Sequence, residues 1–237
     1  FFEQGTVNMI TAPPNNWKSW MVFLFAYHIA KGTDVLERFK TAQSKVMIVN
    51  EEDSLRLIQD RFKILGFVQS DIPIFFRVAY GAKLDIKFVD NIIKECKEKD
   101  ITVVMFDSLR SVHDGEENDS TEMQKVLDLL KKISRENITV IFTHHHKKKP
   151  TIGKGDATEM FRGSTAILAA VSGYISLEEE ERGLGNVIVV HHLKSKSGEK
   201  LLPFEISMKK ERSEDGSKVM KMEFMYGGEF KKAEKKI

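Results

Sequence analysis

Lys18 and Ser19 are adjacent residues whose types and position are typical of a phosphate-binding site. They follow a short loop that comes after an apolar run at residues 7–10, and an amphipathic helix extends from them to Gly32. At such a junction, backbone N–H groups and the helix N-terminus hold phosphate oxygens. A lysine there reaches the β- and γ-phosphates, and a serine hydroxyl binds Mg²⁺. The order of strand, loop, Lys-Ser and helix therefore predicts a P-loop for ATP and Mg²⁺.

The predicted loop lacks both of the glycines that such loops usually carry. Ala12 occupies the first glycine position and Trp17 occupies the last. A second interpretation therefore stays open, in which Ser19 is only a good first-turn residue of an ordinary helix. The candidate nucleotide-binding residues of the loop are Ala12, Pro13, Pro14, Asn15, Asn16, Trp17, Lys18, Ser19 and Trp20.

Acidic residues follow two of the predicted strands. Asp107 ends the apolar run 101–106, where a carboxylate beside the loop could hold Mg²⁺ together with Ser19. Glu51 and Glu52 end another strand, where a glutamate could orient or deprotonate the attacking water. Each position also has a structural explanation, because strands often end in aspartate and acidic residues favour a helix start. In combination with the loop, they indicate a site for phosphoryl transfer.

Three consecutive histidines, His144 to His146, end a further apolar strand. Adjacent residues of an extended segment point to opposite sides, so these side chains do not easily share one metal ion. A histidine at this position is better placed to form a hydrogen bond with the γ-phosphate. A role as phosphate sensor and plain loop polarity are both compatible with the pattern.

Strands and helices alternate through the first two thirds of the chain, which predicts a mostly parallel sheet covered on both faces. Besides the first strand and helix, we predict strands at 45–50, 74–78, 101–108 and 138–143, and helices at 55–65, 85–99 and 120–136. Further strands are predicted at 166–177, 186–193, 201–208 and 219–226, joined by hairpin-type turns. Neither an internal repeat nor a linker is evident, so residues 1–237 are predicted to form one α/β domain.

The composition narrows the class of protein. A chain of 237 residues with 41% hydrophobic residues can bury the core of one large domain. The net charge of +2 provides no overall basic field, so any nucleic-acid binding must come from local patches. The single cysteine, Cys96, excludes an internal disulfide and favours a cytoplasmic protein. No apolar run approaches the length of a membrane span. Because the sequence opens on Phe1 rather than Met, we expect a fragment of a longer protein.

The order of these motifs resembles the RecA-type ATPase core of the RepA-like hexameric replicative helicases, from the start of the chain to about Leu177. The matching segments are Trp17-Lys18-Ser19-Trp20, Val49-Asn50-Glu51-Glu52-Asp53, Phe106-Asp107-Ser108-Leu109-Arg110, Glu116-Glu117-Asn118-Asp119, His144-His145 and Arg162-Gly163-Ser164. Some members of this broader family replace the last loop glycine with an aromatic residue. By this resemblance, Trp17 belongs to a variant P-loop.

The resemblance implies a RecA-like P-loop fold with C-terminal antiparallel strands, and a role for each candidate residue. Lys18 and Ser19 would hold phosphate and Mg²⁺, Asp107 would be the Walker B acid and Glu52 the catalytic base. Either His144 or His145 would sense the γ-phosphate. The protein would form a ring, expected to be a hexamer, with ATP between subunits, and it would move single-stranded DNA.

The cation that a neighbouring subunit would supply is the main departure from this family. RepA-like proteins place an arginine in the strand after Arg-Gly-Ser, and residues 171–174 contain none. Related ring ATPases use a later basic hairpin, where this chain has Lys194 and Lys196. Since no cation of the same subunit is evident opposite Lys18, these two lysines are the candidates. A solvated hairpin tip is the alternative explanation.

A basic loop at residues 147–159 is the candidate DNA contact. It contains Lys147, Lys148, Lys149 and Lys154. Small basic loops that follow a phosphate backbone suit sequence-independent binding of single strands. Two other functions stay open: a nucleotide-binding module with little or no hydrolysis, and a regulatory ATPase that acts on protein partners.

Overall fold

The computed structural model describes residues 1–14, 17–67, 72–78, 81–117, 119–145, 165–182 and 185–230. In chain order the elements are β1 (Val7–Ala12), α1 (Lys18–Lys31), β2 (Lys45–Asn50), α2 (Leu55–Ile64), β3 (Ile74–Val78), α3 (Ile86–Lys99), β4 (Ile101–Phe106), a 3₁₀ turn (Arg110–Val112), α4 (Ser120–Ser134), β5 (Thr139–His145), α5 (Thr165–Ala170), β6 (Gly173–Arg182), β7 (Gly185–Lys194), β8 (Phe204–Arg212) and β9 (Val219–Glu229).

All the described strands belong to one nine-stranded sheet with the order β3-β2-β4-β5-β1-β6-β7-β8-β9. The strands from β3 to β6 are parallel to their neighbours, and the remaining pairs are antiparallel. The carboxyl ends of β1, β2, β4 and β5 therefore meet at one edge of the sheet. In open α/β sheets, ligands bind at this edge. The predicted α/β fold with C-terminal antiparallel strands is confirmed.

The sheet separates two hydrophobic cores. Side chains alternate between them along each central strand: on β2, Ile48 packs on the face of α1 and α2, whereas Met47 packs on the face of α3 and α4. This alternation follows from the two-residue period of a strand. Because both faces are covered, the strand is a continuous apolar run rather than an alternating one. The central strands are therefore fixed from both sides, and their ends hold the site rigidly.

The segment 166–177 corrects the sequence prediction. We predicted one strand there, but the chain forms the short helix α5 and then enters β6 at Gly173. Ala166 to Ala170 are mostly good helix formers, and Ile167 is fully buried in the core next to α4. An evenly apolar stretch carries no periodicity that separates a helix from a strand. A Cβ at Gly173 would lie 2.5 Å from Asn8 Oδ1, so this close approach to β1 requires glycine.

None of the helices in the described part of the chain combines the length and the apolar character needed to span a membrane. Cys96 is a buried free thiol on the inner side of α3.

Candidate nucleotide-binding site

A cavity of about 380 Å³ lies at the carboxyl edge of the parallel strands. It is lined by Trp17, Lys18, Ser19, Trp20, Glu52, Asp53, Arg61, Asp107, Ser108 and His145. The structure thus brings together seven of the candidate residues, which come from four separate segments of the sequence: Trp17, Lys18, Ser19, Trp20, Glu52, Asp107 and His145. A larger cavity of about 560 Å³ opens between Phe1, the end of α1 and the far ends of β4 and β5. None of the candidate residues lines that second cavity.

The loop end at Trp17 has the backbone conformation that the missing glycine would supply. Trp17 has φ 56° and ψ −1°, in the left-handed region, and α1 begins at the next residue. Its side chain packs against the C-terminal hairpin, with the ring 6.1 Å from that of Phe224 and 4.7 Å from Lys210 Nζ. The loop therefore keeps the left-handed turn at the start of the helix, although the residue there carries a large side chain.

Lys18 is held along the inside of the loop. Its side chain is almost completely buried, and Nζ donates hydrogen bonds to the carbonyl oxygens of Ala12 at 3.2 Å and Pro13 at 2.9 Å. Burial lowers the pKa of this amine to about 8, and the nearby carboxylates of Asp107 and Glu52 act in the opposite direction. The amine lies within the loop that would surround a phosphate.

Asp107 is a buried carboxylate in contact with the first turn of α1. It accepts a hydrogen bond of 2.8 Å from Thr143 Oγ1 on the neighbouring strand and another from the Ser19 hydroxyl. Burial raises the pKa of Asp107, and the two hydroxyl hydrogen bonds oppose this shift. A carboxylate and a hydroxyl side by side form the hard oxygen pair that Mg²⁺ prefers. The geometry fits the predicted Mg²⁺ role of Ser19 and Asp107.

The loop after β2 directs Glu52 into the cavity and Glu51 away from it. Asn50 Oδ1 accepts the backbone N–H groups of Glu52 at 3.0 Å and Asp53 at 2.8 Å, which fixes the turn. The Ser108 hydroxyl, at the end of β4, donates a hydrogen bond to the Glu52 carboxylate. Glu51 instead accepts the N–H of Gly81 at 2.8 Å. The cavity therefore contains Glu52, the glutamate to which the resemblance gives the role of base, and does not contain Glu51.

The two described histidines at the end of β5 face different surroundings. His145 lines the cavity, and its pKa is lowered chiefly by burial and then by the charge of Lys18. His144 is buried, with Nδ1 3.6 Å from Glu117 Oε1. Since adjacent strand residues point to opposite sides, His145 is the histidine that faces the cavity. Among the described residues, no group of three or more His, Cys, Asp or Glu side chains could hold a metal ion.

Arg61 is a cavity residue that the sequence analysis missed. Its Nη1 donates a hydrogen bond of 2.6 Å to Asp53 Oδ2, and its guanidinium lies 5.7 Å from the ring centre of Trp20. Arg61 is on α2, for which the sequence analysis predicted a helix but no functional residue. No sequence motif relates the position of Arg61 to that of Lys18. Arg61 could have been identified as a site residue only from a prediction that α2 packs beside α1. The same subunit thus has a second cation at the cavity, contrary to our expectation.

Lys194 and Lys196 do not line the cavity of their own chain. In the sheet, Lys194 on β7 is opposite Tyr174 on β6, and Tyr174 is opposite Met9 on β1. Lys194 therefore lies level with the middle of β1 and not with the end that leads into the loop. Its Nζ donates to the carbonyl of Leu168. The backbone N–H of Lys196 donates to Glu3. Their suggested action on a neighbouring subunit stays a prediction.

Several of the predicted residues lie outside the described part of the chain. They are Asn15 and Asn16 of the loop, His146, the four lysines Lys147, Lys148, Lys149 and Lys154, and the segment Arg162-Gly163-Ser164.

Comparisons with known proteins agree with the fold. A protein-family model described as an AAA domain matches residues 1–151, which include β1, the loop, α1, β2, β4 and β5. Among solved structures, the chain is similar to the flagellar accessory protein FlaH from Methanocaldococcus jannaschii, with a TM-score of 0.61 and 14% sequence identity. The alignment covers 86% of this chain and 86% of that one. At this identity, the likeness concerns the fold alone.

Proposed function

The chain belongs to the AAA domain family of P-loop ATPases, and from this premise we propose that it hydrolyses ATP at the cavity beside α1 and uses the energy to move single-stranded DNA. The observation that carries the hydrolysis proposal is the position of Glu52. Its carboxylate is held by the Ser108 hydroxyl in the same cavity as Lys18 and the Ser19–Asp107 pair. A base, a phosphate-binding amine and a metal-binding pair in one cavity are the parts that ATP hydrolysis needs.

Each cavity residue has a task in this proposal. Lys18 would bind the β- and γ-phosphates, while Ser19 and Asp107 would hold Mg²⁺. When bound, the ion would offset the negative charge of the phosphates. Glu52 orients a water molecule and accepts its proton during attack on the γ-phosphate. His145, kept neutral at pH 7 by its lowered pKa, can donate a hydrogen bond to that phosphate from one ring nitrogen.

Single-stranded DNA is the proposed partner because of the motif order and the position of the lysine-rich segment. Lys147, Lys148, Lys149 and Lys154 come shortly after β5 in the sequence, and β5 ends at the sheet edge that holds the cavity. A basic segment there would contact DNA phosphates rather than bases. We further propose a ring of subunits, because Lys194 and Lys196 lie away from their own cavity and could act only at a neighbour's.

The experiment compares the ATPase rate with and without single-stranded DNA for the wild type, Glu52→Gln and Glu51→Gln. Glu51→Gln is a matched control, because the same change falls on the adjacent glutamate, which faces Gly81. We expect Glu52→Gln to lower the rate about 10²–10⁴-fold while ATP binding is retained. Equal rates for the two variants would refute the assignment of Glu52 as the base.

The second candidate function is a regulatory ATPase that acts on protein partners. It is favoured by the fold similarity to FlaH, which is described as a flagellar accessory protein, and by the near-neutral charge of this chain. Turnover that does not respond to single-stranded DNA would support this function over the motor. Tight ATP binding by the wild type without turnover would support a nucleotide-binding module instead.

A further inference from the structure

Arg61 stands at the cavity as a second cation, and we propose that it contacts the phosphate chain of the bound nucleotide from within the same subunit. This inference rests on the proposed function, because it concerns the same ATP site. Among the described residues that line the cavity, Lys18 and Arg61 are the only lysine or arginine side chains. Lys18 approaches from the loop, whereas Arg61 approaches from α2, on the side of Asp53 and Trp20.

The position of Arg61 is fixed by the elements around it. Ser54 caps the start of α2, where its side chain accepts the N–H of Leu57, and Ile58 anchors the helix in the core. Arg61 follows Ile58 by three residues and therefore lies near the same face of the helix. Its side chain is only 20% exposed. This guanidinium is thus held beside the cavity and is not a freely moving surface group.

The contacts of Arg61 use only part of its hydrogen-bonding capacity. Within the part of the chain that the structure describes, it donates one hydrogen bond, from Nη1 to Asp53, and the guanidinium also packs near the rings of Trp20 and Phe23. A guanidinium has five N–H donors in a planar fork. One part of the fork can therefore hold Asp53 while another donates to a phosphate oxygen. A lysine could not do both with the same geometry.

The charge balance of the cavity favours a phosphate as the partner. Glu52, Asp53 and Asp107 place three carboxylates around a cavity that would receive a polyanion. Lys18 and a Mg²⁺ ion held by Ser19 and Asp107 would offset only part of the combined negative charge of these carboxylates and the phosphates of ATP. Arg61 offsets the charge of Asp53 and adds the second cation. A purely structural ion pair, which only joins α2 to the preceding turn, is the competing explanation.

The test measures the affinity for two ligands, ATP and inorganic tripolyphosphate, which has the phosphate chain without base or sugar. Trp17 and Trp20 are the only tryptophans of the chain and both line the cavity, so the change in intrinsic fluorescence reports binding. We expect Arg61→Gln to weaken both ligands by about 10-fold to 100-fold, as for the loss of a hydrogen bond between charged groups. Arg61→Lys, which keeps the charge without the fork, should weaken both by a smaller factor.

Arg56→Gln is the matched control, because Arg56 lies on the exposed side of α2 and does not line the cavity. It should leave both affinities unchanged. A thermal unfolding curve for each variant establishes whether that variant is folded. If Arg61→Gln does not fold, the affinities of Arg61→Lys decide between the two explanations.

The possible results separate the explanations. Equal weakening of ATP and tripolyphosphate supports the phosphate contact. Weakening of ATP alone would overturn it in favour of a contact with the base or sugar. A lower unfolding temperature with unchanged affinities for both ligands would leave only the structural ion pair. If the wild type binds neither ligand, both the proposed function and this inference fail. If the wild type binds the ligands and Arg61→Gln binds them equally well, only this inference is refuted.

Discussion

Trp17 provides the sharpest test of the loop geometry, because two opposing effects meet at one residue. Its backbone is left-handed, with φ 56°, a conformation that costs a residue with a Cβ about 1–2 kcal/mol. Its ring is partly buried against Phe224 and Lys210. Truncation of a fully buried tryptophan costs about 3–5 kcal/mol, so the loss for this half-buried ring is about 2 kcal/mol. Packing therefore outweighs strain, and both Trp17→Ala and Trp17→Gly should be less stable than the wild type.

The difference between these two variants isolates the backbone strain. Both lose the ring, but only alanine keeps the Cβ penalty, while glycine costs about 0.5–1 kcal/mol in backbone entropy. The glycine variant should therefore be the more stable of the two by about 1 kcal/mol. Urea unfolding followed by far-ultraviolet circular dichroism measures this difference. The control pair is Gln59→Ala and Gln59→Gly, at an exposed position in the interior of α2, where alanine should be more stable by about 1 kcal/mol.

The reasoning is refuted if the alanine variant at position 17 is as stable as the glycine variant, or more so. ATP binding gives a separate readout. Trp17→Gly should retain its affinity for ATP, because the phosphate contacts that we propose come from Lys18, Arg61, His145 and the backbone of the loop, and none of them uses the indole. A collapse of ATP affinity in this variant would mean that the indole itself is part of the binding site.

Two further predictions concern residues at the base of the cavity. Lys18→Met should abolish ATP binding, as measured by calorimetry. The same variant should stabilise the free protein by up to about 3 kcal/mol at pH 7. The reason is that the pKa of Lys18 falls from 10.5 to about 8 on folding, so that burial of the charged amine lowers the stability of the wild type. Since the pKa of Lys18 is lower in the folded state than in the unfolded state, the wild type loses this stability in full below pH 8. The stability gained by Lys18→Met should therefore disappear as the pH rises from 8 to above 10.5. A gain in stability that does not depend on pH would contradict the burial argument. Ser108→Ala should lower kcat about 10-fold and leave the Kd for ATP unchanged, because its hydroxyl only holds Glu52; an unchanged kcat would show that this hydrogen bond does not position the base.

The order of elements and the acidic ends of the strands could be predicted from the sequence, because these signals are local. The central strands are continuous apolar runs, and Asp107 and Glu52 immediately follow two of them. Lys18 was identified because it begins a helix after a strand and a loop. Parallel strands then bring these ends to one edge without any information on side-chain contacts.

The remaining features depend on contacts between segments that are distant in the chain. Arg61 becomes a cavity residue only because α2 packs beside Trp20, which no spacing in the sequence encodes. The family resemblance selected Glu52, but the hydroxyl that holds its carboxylate belongs to Ser108, which follows a different strand. The helix α5 was missed because its residues are apolar on all sides, and tertiary packing against α4 decides its conformation.

The C-terminal strands have a consequence for how far the chain can be shortened. The family match ends at residue 151, and every cavity residue with a proposed role in hydrolysis lies before that point. Yet β1 is flanked on one side by β6, and the Trp17 ring lies against Phe224 of β9. A fragment trimmed to the matched region would turn the central strand into an exposed edge, which is a template for aggregation. The smallest autonomous unit is therefore longer than the stretch that motif recognition delimits.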